Sequence, residues 1–380
     1  MGNYVTGTPV FTVADNIISS IGYSTDENTG NICREKTGIR MTEKQFSPDT
    51  YPFSLVDPGE PDENSENPDQ FTRLEKMLIA SVQDALQNTS IDITDGRCVI
   101  VISTTKGNID LLKDPSPVHV QAMLWNLGKK IGRYFGNPNK PVVISSACIS
   151  GVLAVETASR MIRSGMYDHA VITGGDMVSD FVVSGFASFK ALSNEACRPY
   201  DIKRNGLTLG EGAATLVISN KGTIPRNPVF ISGGASSNDG VHISAPDRTG
   251  TGLFQAISKA VGYAGLDFQD IDAICAHGTA TAYNDEMESQ AFYLAGLQDK
   301  PVYSLKGYWG HTLGASGLME IVAGIHSLKK QVLFKTLGFE SSGLTKPLNV
   351  TTSTRNIHLR HMLKTASGFG GCNAAIVLSV

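Results

Sequence analysis

The 380-residue sequence lacks a long apolar run, a strong net charge and any C-x-x-C pair of cysteines. No stretch reaches the roughly 20 apolar residues that span a bilayer, and the opening MGNYVTGTPVFTVADNIISS lacks a signal-peptide pattern. A formal charge of −4 disfavours binding to nucleic acid or to an anionic membrane surface. The six cysteines are scattered, which indicates reduced thiols rather than a metal site. We therefore expect a cytoplasmic protein with no membrane, nucleic-acid or metal partner.

The sequence does contain an alternation of short β-rich apolar runs and longer stretches with helical spacing. This alternation predicts an α/β fold whose strands are buried on both faces. At 380 residues the chain exceeds the size at which a single core stops growing, so two domains or two fused halves are expected. Strands are predicted at 98–103, 142–145, 170–173, 214–219, 229–233, 273–276 and 374–378, and helices at 74–86, 118–134, 153–163, 252–264, 285–294 and 319–330.

Two segments rich in turn-forming residues interrupt this pattern. The segment SPDTYPFSLVDPGEPDENSENPDQF, residues 47–71, predicts an exposed loop. The segment NKGTIPRNP, residues 220–228, separates two predicted strands. We therefore predict an N-terminal half over residues 1–225 and a C-terminal half over 226–380. No internal sequence similarity is strong enough to prove a duplication.

One cysteine, Cys148, lies between an apolar run and a stretch with helical spacing, in VISSACISGVLAVETASRMIRSG. This pattern places the thiol in a strand-to-helix turn, where unpaired N–H groups and the helix dipole favour the thiolate. Small neighbours leave room for a substrate, so Cys148 is a candidate nucleophile for acyl transfer. Taken alone, the residue is equally well explained as a small buried hydrophobe.

Two histidines in the C-terminal half lie beside predicted strand ends. His277 ends a strand in IDAICAHGTATAYNDEMES, where Thr279 opens a turn, and His311 precedes a helix in SLKGYWGHTLGASGLME. α/β proteins place catalytic groups at such strand ends. Each histidine alone has a packing or capping explanation, but two of them together with a candidate nucleophile indicate catalysis.

A glycine-rich segment, TASGFGGCNAAIVLSV, ends the sequence. Its glycines Gly368, Gly370 and Gly371 permit close backbone approach to a reacting centre, and amides in such a loop can form an oxyanion hole. No strand–GxGxxG–helix or Walker pattern indicates a nucleotide.

Five motifs in this order resemble those of the β-ketoacyl-acyl carrier protein synthases that have a Cys-His-His site. They are SSACISG, CRPYDIKRNGLTLGEGAA, AHGTATAYNDE, SLKGYWGHTLGASGLME and GFGGCNAA. The resemblance extends from about Val99 to the end of the sequence. It implies a thiolase-like fold, in which two similar halves form five layers in the order α/β/α/β/α. It also implies a homodimer, or a heterodimer with a related synthase subunit.

The resemblance implies a role for each of the candidate residues. Cys148 would accept the acyl chain, with His277 and His311 as its partners. Lys306 would organise the site, and Glu320 would pair with that lysine. The implied reaction is a decarboxylative condensation of a malonyl thioester with the acyl-cysteine, in fatty acid or related polyene or polyketide-type synthesis. Both substrates would be carried on the phosphopantetheine of an acyl carrier protein, with no other cofactor and no metal.

The glycine-rich segment carries further implied roles and two departures from the family. Phe369 matches a gating phenylalanine whose amide joins that of Cys148 in the oxyanion hole. Thr279 and Gly370 are expected to contact the substrate. Cys372 replaces the usual threonine, and Ser367 replaces a bulky residue.

A basic cluster in the segment VQAMLWNLGKKIGRYFGNPNK is a candidate docking site for the carrier protein. Lys129, Lys130 and Arg133 lie within about one helical turn of one another, and Arg204 is expected to extend the patch. A matching basic pair in the family lies near the mouth of the acyl tunnel. A solvated helix face explains the same charges.

Two other readings compete with a condensing enzyme. A chain-length-factor-like partner subunit would lack the nucleophile, whereas this sequence contains Cys148, both histidines and Lys306. A thiolase that uses coenzyme A would employ a second cysteine, for which Cys372 is the candidate. The sequence does not specify the length of the acyl chain.

Overall fold

Strands and helices alternate along the chain in a computed structural model of the protein, as the sequence predicts. The structure describes residues 8–42, 46, 50–57, 71–113, 119–222 and 224–380. The strands are β1 (Phe11–Ser19), β2 (Arg40–Met41), β3 (Pro52–Ser54), β4 (Cys98–Ser103), β5 (Val142–Ile144), β6 (His169–Asp176), β7 (Leu209–Gly210), β8 (Gly212–Ser219), β9 (Phe230–Asn238), β10 (Ala273–Cys275), β11 (Val302–Tyr303), β12 (Val332–Leu333), β13 (Arg355–Asn356), β14 (His361–Gly368) and β15 (Cys372–Ser379). The α-helices are α1 (Thr25–Cys33), α2 (Arg73–Gln87), α3 (Leu124–Tyr134), α4 (Ser150–Arg163), α5 (Asp180–Ser188), α6 (Thr251–Tyr263), α7 (Ala282–Leu294), α8 (Lys306–Trp309) and α9 (Ser316–Lys330).

The central sheet consists of two sets of five strands that have the same topology. Their orders are β1-β8-β6-β4-β5 and β9-β15-β14-β10-β11. In each set the first two pairings are antiparallel and the last two are parallel. The sets join where Phe11 of β1 pairs with Phe230 of β9. The predicted construction from two similar halves is therefore confirmed by the strand order.

Helices occupy three layers around the two sets of strands. α4 and α9 pack against each other in the middle, and α4 contacts β4 and β6 as well as β9 and β15. α2 covers β1, β8 and β6 on one outer face, while α6 covers β9 and β15 on the other and α7 packs on α6. This arrangement is the predicted five-layered order.

Glycines allow the two middle helices to cross closely at their N-termini. A Cβ atom added to Gly151 of α4 would lie 2.4 Å from the backbone N of Leu318. Reciprocally, a Cβ atom on Gly317 of α9 would lie 2.8 Å from the backbone N of Val152. Side chains larger than hydrogen would separate the two helix N-termini, so these glycines bring the preceding turns together.

The burial pattern follows from the sequence. All residues of β4, β8 and β15 are buried, as the apolar runs CVIVIS, GAATLVIS and CNAAIVLS indicate. The amphipathic helix α2 begins with a capping box between Thr72 and Glu75.

Within the part of the chain that the structure describes, no helix combines the length and the apolar composition that a membrane span needs.

The structure corrects some predicted boundaries. The helix predicted at 118–134 begins only at Leu124. Met123 has extended backbone angles and separates α3 from a short 3₁₀ turn at Val120–Ala122. Residue 118 lies outside the described residues. Most of the predicted loop at 47–71 also lies outside them, and its described part contains β3. The boundary at 225/226 falls between β8 and β9 and stays a prediction.

Candidate active site

Cys148 lies in a tight turn between β5 and α4, as predicted. The turn requires Ala147 to adopt a left-handed backbone angle, φ +44°. Ser150 stabilises it, since its hydroxyl donates to the Ala147 carbonyl at 2.6 Å and accepts from the Ser146 N–H at 2.8 Å. The Cys148 side chain lines a cavity of about 340 Å³.

Three of the predicted residues converge in this cavity. The Cys148 sulfur and one ring nitrogen from each of His277 and His311 all lie within 4.8 Å of one another. The two imidazole centroids are 5.1 Å apart, with an angle of 85° between the ring planes. Thr279 and Phe369 line the same cavity. The arrangement places a thiol and two imidazoles around one reacting centre.

His277 is held by its backbone and by its Nδ1 atom. The backbone N–H of His277 donates to Glu288 at 2.8 Å, and Lys306 Nζ donates to the backbone carbonyl of His277 at 2.6 Å. Lys306 Nζ also lies 3.3 Å from Nδ1. Because an ammonium group can only donate, Nδ1 is an acceptor and the neutral ring carries its proton on Nε2.

His311 has the same tautomer for a different reason. The Leu313 N–H donates to His311 Nδ1 at 3.2 Å, so the ring proton again lies on Nε2. Burial, and then the charge of Lys306, lower the pKa of both histidines well below the ordinary value. The site therefore contains two neutral imidazoles that can each donate one Nε2–H hydrogen bond.

Lys306 and Glu320 form the predicted pair at the back of the site. Lys306 Nζ donates to Glu320 Oε1 at 2.7 Å, and both side chains are fully buried. The second oxygen of Glu320 lies 2.6 Å from the Nζ atom of Lys364, which is also fully buried. Burial acts to raise the pKa of Glu320, but the two lysines hold it below its ordinary value.

Sequence reasoning missed Lys364 and Glu288. Lys364 lies within the strand HMLKTASG, where a charged residue interrupts an otherwise buried run, and this interruption was the available signal. Glu288 accepts N–H donors from both His277 and Gly278. It lies in helix α7, AYNDEMESQAFYL, where polar and apolar residues are interspersed, so the sequence does not distinguish Glu288 from the other acidic residues of the helix.

The structure corrects the expectation that the helix N-terminus favours a Cys148 thiolate. Burial raises the pKa of Cys148 to about 12, and the neighbouring Cys372 adds to this effect, while Lys306 opposes it. Desolvation of the charged form is the largest cause of this shift. The raised pKa favours the neutral thiol of Cys148 over the thiolate near pH 7.

Phe369 lies at the mouth of the cavity. Its ring centroid is 5.4 Å from that of Phe186 and 5.3 Å from that of Phe189. Gly368, directly before it, approaches the turn so closely that a Cβ atom would lie 3.0 Å from Cys148 N. This approach places the backbone at Phe369 beside the nucleophile; its predicted role in an oxyanion hole stays a prediction.

The neighbours of Phe369 are fixed by local hydrogen bonds. Gly370 has φ +85° and donates its N–H to the Ile243 carbonyl at 2.8 Å. The Ser367 hydroxyl donates to Asn373 at 2.7 Å, so the serine supports the loop while it lines the cavity. The thiol of Cys372 lies 3.4 Å from the Phe369 carbonyl.

The basic cluster on α3 is only partly exposed. Lys129 and Arg133 are exposed, but Lys130 Nζ forms a 2.5 Å ion pair with the buried Glu75. Arg204 does not extend this patch, because its buried guanidinium lines the cavity and pairs with Glu286 at 3.1 Å. Burial and this ion pair remove it from any exposed surface, which corrects the expectation.

Comparisons with known proteins agree with these motifs. The family model described as beta-ketoacyl synthase, N-terminal domain, matches residues 9–223. The model described as beta-ketoacyl synthase, C-terminal domain, matches residues 229–340.

Curated relatives include a putative polyketide beta-ketoacyl synthase 1 from Streptomyces cyaneus, 32% identical over 268 residues, or 67% of this chain and 64% of that protein. Another is the 3-oxoacyl-[acyl-carrier-protein] synthase 2 from Mycobacterium tuberculosis (strain CDC 1551 / Oshkosh), 34% identical over 245 residues, or 61% of this chain and 59% of that protein. The matched region thus spans about three fifths of these relatives.

Two solved structures are similar over nearly the whole chain. One is a ketosynthase in complex with its chain length factor from Xenorhabdus doucetiae, with a TM-score of 0.88, 25% identity and 100% coverage of both chains. The other is the ishigamide ketosynthase/chain length factor, with a TM-score of 0.89, 26% identity and coverage of 99% of this chain and 100% of that chain. The predicted thiolase-like fold is confirmed by these similarities.

Proposed function

The chain belongs to the beta-ketoacyl synthase family, and we propose that it condenses a malonyl thioester with an acyl chain held on Cys148. The observation that carries the proposal is the convergence of Cys148, His277 and His311, whose reactive atoms lie within 4.8 Å of one another. Both substrates would arrive on the phosphopantetheine of an acyl carrier protein, which supplies the thioester. The product would be a 3-oxoacyl chain lengthened by two carbons.

In the first half-reaction, the sulfur of Cys148 attacks the thioester carbonyl of the acyl-carrier protein. The bond from that carbonyl to the phosphopantetheine sulfur breaks, and the thiol proton passes to the departing sulfur. Because burial raises the pKa of Cys148 to about 12, this proton transfer accompanies the attack. Backbone amides of Cys148 and Phe369 would hold the oxyanion.

In the second half-reaction, malonyl-carrier protein loses carbon dioxide. The electron pair of the broken carbon–carbon bond forms an enolate, whose oxygen accepts hydrogen bonds from the Nε2–H groups of His277 and His311. The enolate carbon attacks the acyl-cysteine carbonyl, and the bond to the Cys148 sulfur breaks. The thiolate then takes a proton from water. Each step uses groups of the chain, its substrates and water, so the proposal includes no metal.

Peptide mapping tests this assignment directly. The protein is incubated with an acyl-carrier protein or with cerulenin, and the modified cysteine is located by mass spectrometry. Modification should occur at Cys148, because it alone adjoins both imidazoles. Acylation mainly at Cys372 or Cys275 would contradict the proposal. The buried Cys275 serves as an internal control, since its sulfur is not part of the group that Cys148 forms with the two imidazoles.

A thiolase-type reaction is the second candidate, favoured by the position of Cys372. A Cβ atom on Gly368 would lie 3.0 Å from both Cys148 N and Cys372 Sγ, which places a second thiol beside the nucleophile. Paired assays with carrier-bound and coenzyme A-bound thioesters distinguish the two reactions. A condensing synthase should prefer malonyl-carrier protein, whereas a thiolase should cleave a 3-oxoacyl coenzyme A.

The proposed partners are an acyl carrier protein and either a second copy of the chain or a related synthase subunit. β5 forms one edge of the ten-stranded sheet, and α3 beside it exposes Trp125, a residue that is 58% accessible. An edge strand next to an exposed aromatic residue suits subunit association. All six cysteines are free, which fits the proposed location in the cytoplasm.

A further inference from the structure

A second buried lysine lies behind the histidines and is not used by the reaction described above. Lys364 is fully buried on β14. Its Nζ atom lies 2.6 Å from Glu320 Oε2, 2.6 Å from the Thr365 carbonyl and 3.3 Å from the Ala276 carbonyl. Burying an ammonium group destabilises the fold unless the group is fully paired, so the presence of Lys364 at this buried position requires an explanation.

The contacts of Lys364 close a ring around the backbone of His277. Lys306 Nζ donates to the His277 carbonyl and to Glu320 Oε1, and Glu320 Oε2 pairs with Lys364. Lys364 then reaches the carbonyl of Ala276, the residue bonded to His277. The two lysines thus hold consecutive carbonyls, and their shared carboxylate fixes the distance between them.

The ring also balances the charges beside the imidazoles. Lys306 and Lys364 are matched by Glu320 and by Glu288, which accepts the His277 N–H. Without Lys364, the two carboxylates would face a single ammonium. Other ionisable groups near the two histidines include Asp285, which lies 3.9 Å from Arg204, and Tyr200, whose hydroxyl donates to Glu288 at 3.0 Å. Asp176, which accepts from the Gly314 N–H, and the buried thiols of Cys148, Cys197 and Cys275 also lie nearby.

An excess negative charge would favour the imidazolium form of His277. The added proton would lie on Nδ1, which is 3.3 Å from Lys306 Nζ, so two donors would face each other. Lys364 lowers the pKa of both His277 and His311, in addition to the larger effects of burial and of Lys306. Loss of Lys364 would therefore disturb both the position and the tautomer of His277.

We propose that Lys364 is a positioning residue that, through Glu320 and the Ala276 carbonyl, keeps His277 neutral and aimed at the reacting centre. This inference rests on the proposed function only for its consequence in catalysis. Its structural part concerns the tautomer and orientation of His277 and can be measured without a substrate.

The test uses Lys364→Met, which keeps the length of the side chain and removes its charge. Nuclear magnetic resonance of histidine-labelled protein reports tautomer and protonation from about pH 5 to about pH 8. We expect the wild-type His277 to stay in the Nε2–H form. In Lys364→Met the midpoint of His277 protonation should rise into this pH range, and malonyl decarboxylation should fall about tenfold.

Two further variants keep the test decisive. Lys330→Met removes an exposed lysine that pairs with Asp26, and it should leave the His277 signals unchanged. Lys364→Met combined with Glu320→Gln removes one charge of each sign, so its pH response should return toward that of the wild type. Because it leaves no buried carboxylate facing the lost ammonium, this double variant is expected to fold even if Lys364→Met alone does not.

The outcomes separate this inference from the proposed function. Identical tautomers and pH responses in the wild type and Lys364→Met, or a double variant that keeps the raised midpoint, would overturn the role of Lys364. A wild-type protein that does not decarboxylate malonyl-carrier protein, yet responds to Lys364→Met in the resonance experiment, would overturn the proposed function and leave the inference intact.

Discussion

The two halves of the molecule have the same strand order but contribute different chemistry. In the N-terminal half, the turn from β5 to α4 presents the Cys148 thiol. In the C-terminal half, the corresponding connection from β11 to α9 presents His311, and the end of β10 presents His277. A single connection type therefore positions the proposed nucleophile in one half and a hydrogen-bond donor in the other.

The halves also stabilise their buried carboxylates differently. Asp176, at the end of β6, accepts hydrogen bonds from neutral groups of the described residues, including the Thr104 hydroxyl at 2.7 Å and the Gly314 N–H at 2.7 Å. Burial consequently raises its pKa. Glu320 is instead held between two ammonium groups. The C-terminal half thus concentrates the charge of the site beside the two imidazoles that would stabilise the enolate in the proposed reaction.

The largest effect is expected from variants of the active-site residues, which should separate acylation from decarboxylation. Cys148→Ala should abolish self-acylation. His277→Ala or His311→Ala should lower malonyl decarboxylation about 100-fold to 10,000-fold, while acylation of Cys148 is largely retained. Mass spectrometry measures acylation, and release of labelled carbon dioxide measures decarboxylation.

The controls follow from the proposed division of labour. Cys275→Ala, which removes a buried thiol from the C-terminal half, should leave both half-reactions intact. If a histidine variant loses acylation and decarboxylation equally, that imidazole is required to activate the thiol, and the division between the halves is wrong.

The second prediction concerns the close crossing that brings the halves together. Gly151→Ala should lower the free energy of unfolding by about 2–3 kcal/mol, because overpacked sites have little room to relax. The added Cβ atom would meet the backbone of α9 at 2.4 Å. Urea denaturation measures the change.

The same substitution elsewhere provides the matched control. Gly262→Ala on α6 meets no atom within 4 Å, so it should be neutral or stabilising by about 0.5 kcal/mol. Equal effects at the two positions would show that the crossing of α4 and α9 has room for larger side chains.

The convergence of the two halves was largely predictable from the sequence, because the motif residues lie beside strand ends. Cys148, His277 and His311 occur in local patterns that specify a turn or a helix start, whereas Lys306 was identified only by the resemblance to the family. The partners of Lys364 and Lys130 were not predictable in this way. Each pairs with a carboxylate from a distant segment, Glu320 and Glu75, and only tertiary packing brings those side chains together.

The third prediction examines the buried nucleophile of the N-terminal half. Because the pKa of Cys148 is raised to about 12, its thiolate fraction should increase with pH throughout the neutral range. The rate of alkylation by iodoacetamide should therefore rise about tenfold per pH unit near neutrality. Peptide mapping follows Cys148 separately from the exposed Cys33. A rate that reaches a plateau near pH 7 would instead show that the helix N-terminus outweighs burial.

The smallest effect concerns the outer helices that flank the two sets of strands. α3, LWNLGKKIGRY, is basic, whereas its topological counterpart α7, AYNDEMESQAFYL, contains acidic residues and no lysine or arginine. An acidic carrier protein would therefore dock on the N-terminal half. Lys129 and Arg133 are the exposed charges available for this contact, because Lys130 is paired with Glu75.

Reversing those two charges should raise the KM for carrier-bound substrate several-fold and flatten its dependence on salt, since charges at an interface rim act mainly on the rate of encounter. The variant is Lys129→Glu with Arg133→Glu, and small thioesters without a carrier should react as before. Lys221→Glu with Lys259→Glu reverses two exposed charges elsewhere and gives the same change in net charge. If this control raises the KM equally, only net charge matters and α3 is not the docking site. If carrier-free substrates are impaired as much as carrier-bound ones, the α3 charges act on the folded site and not on the encounter.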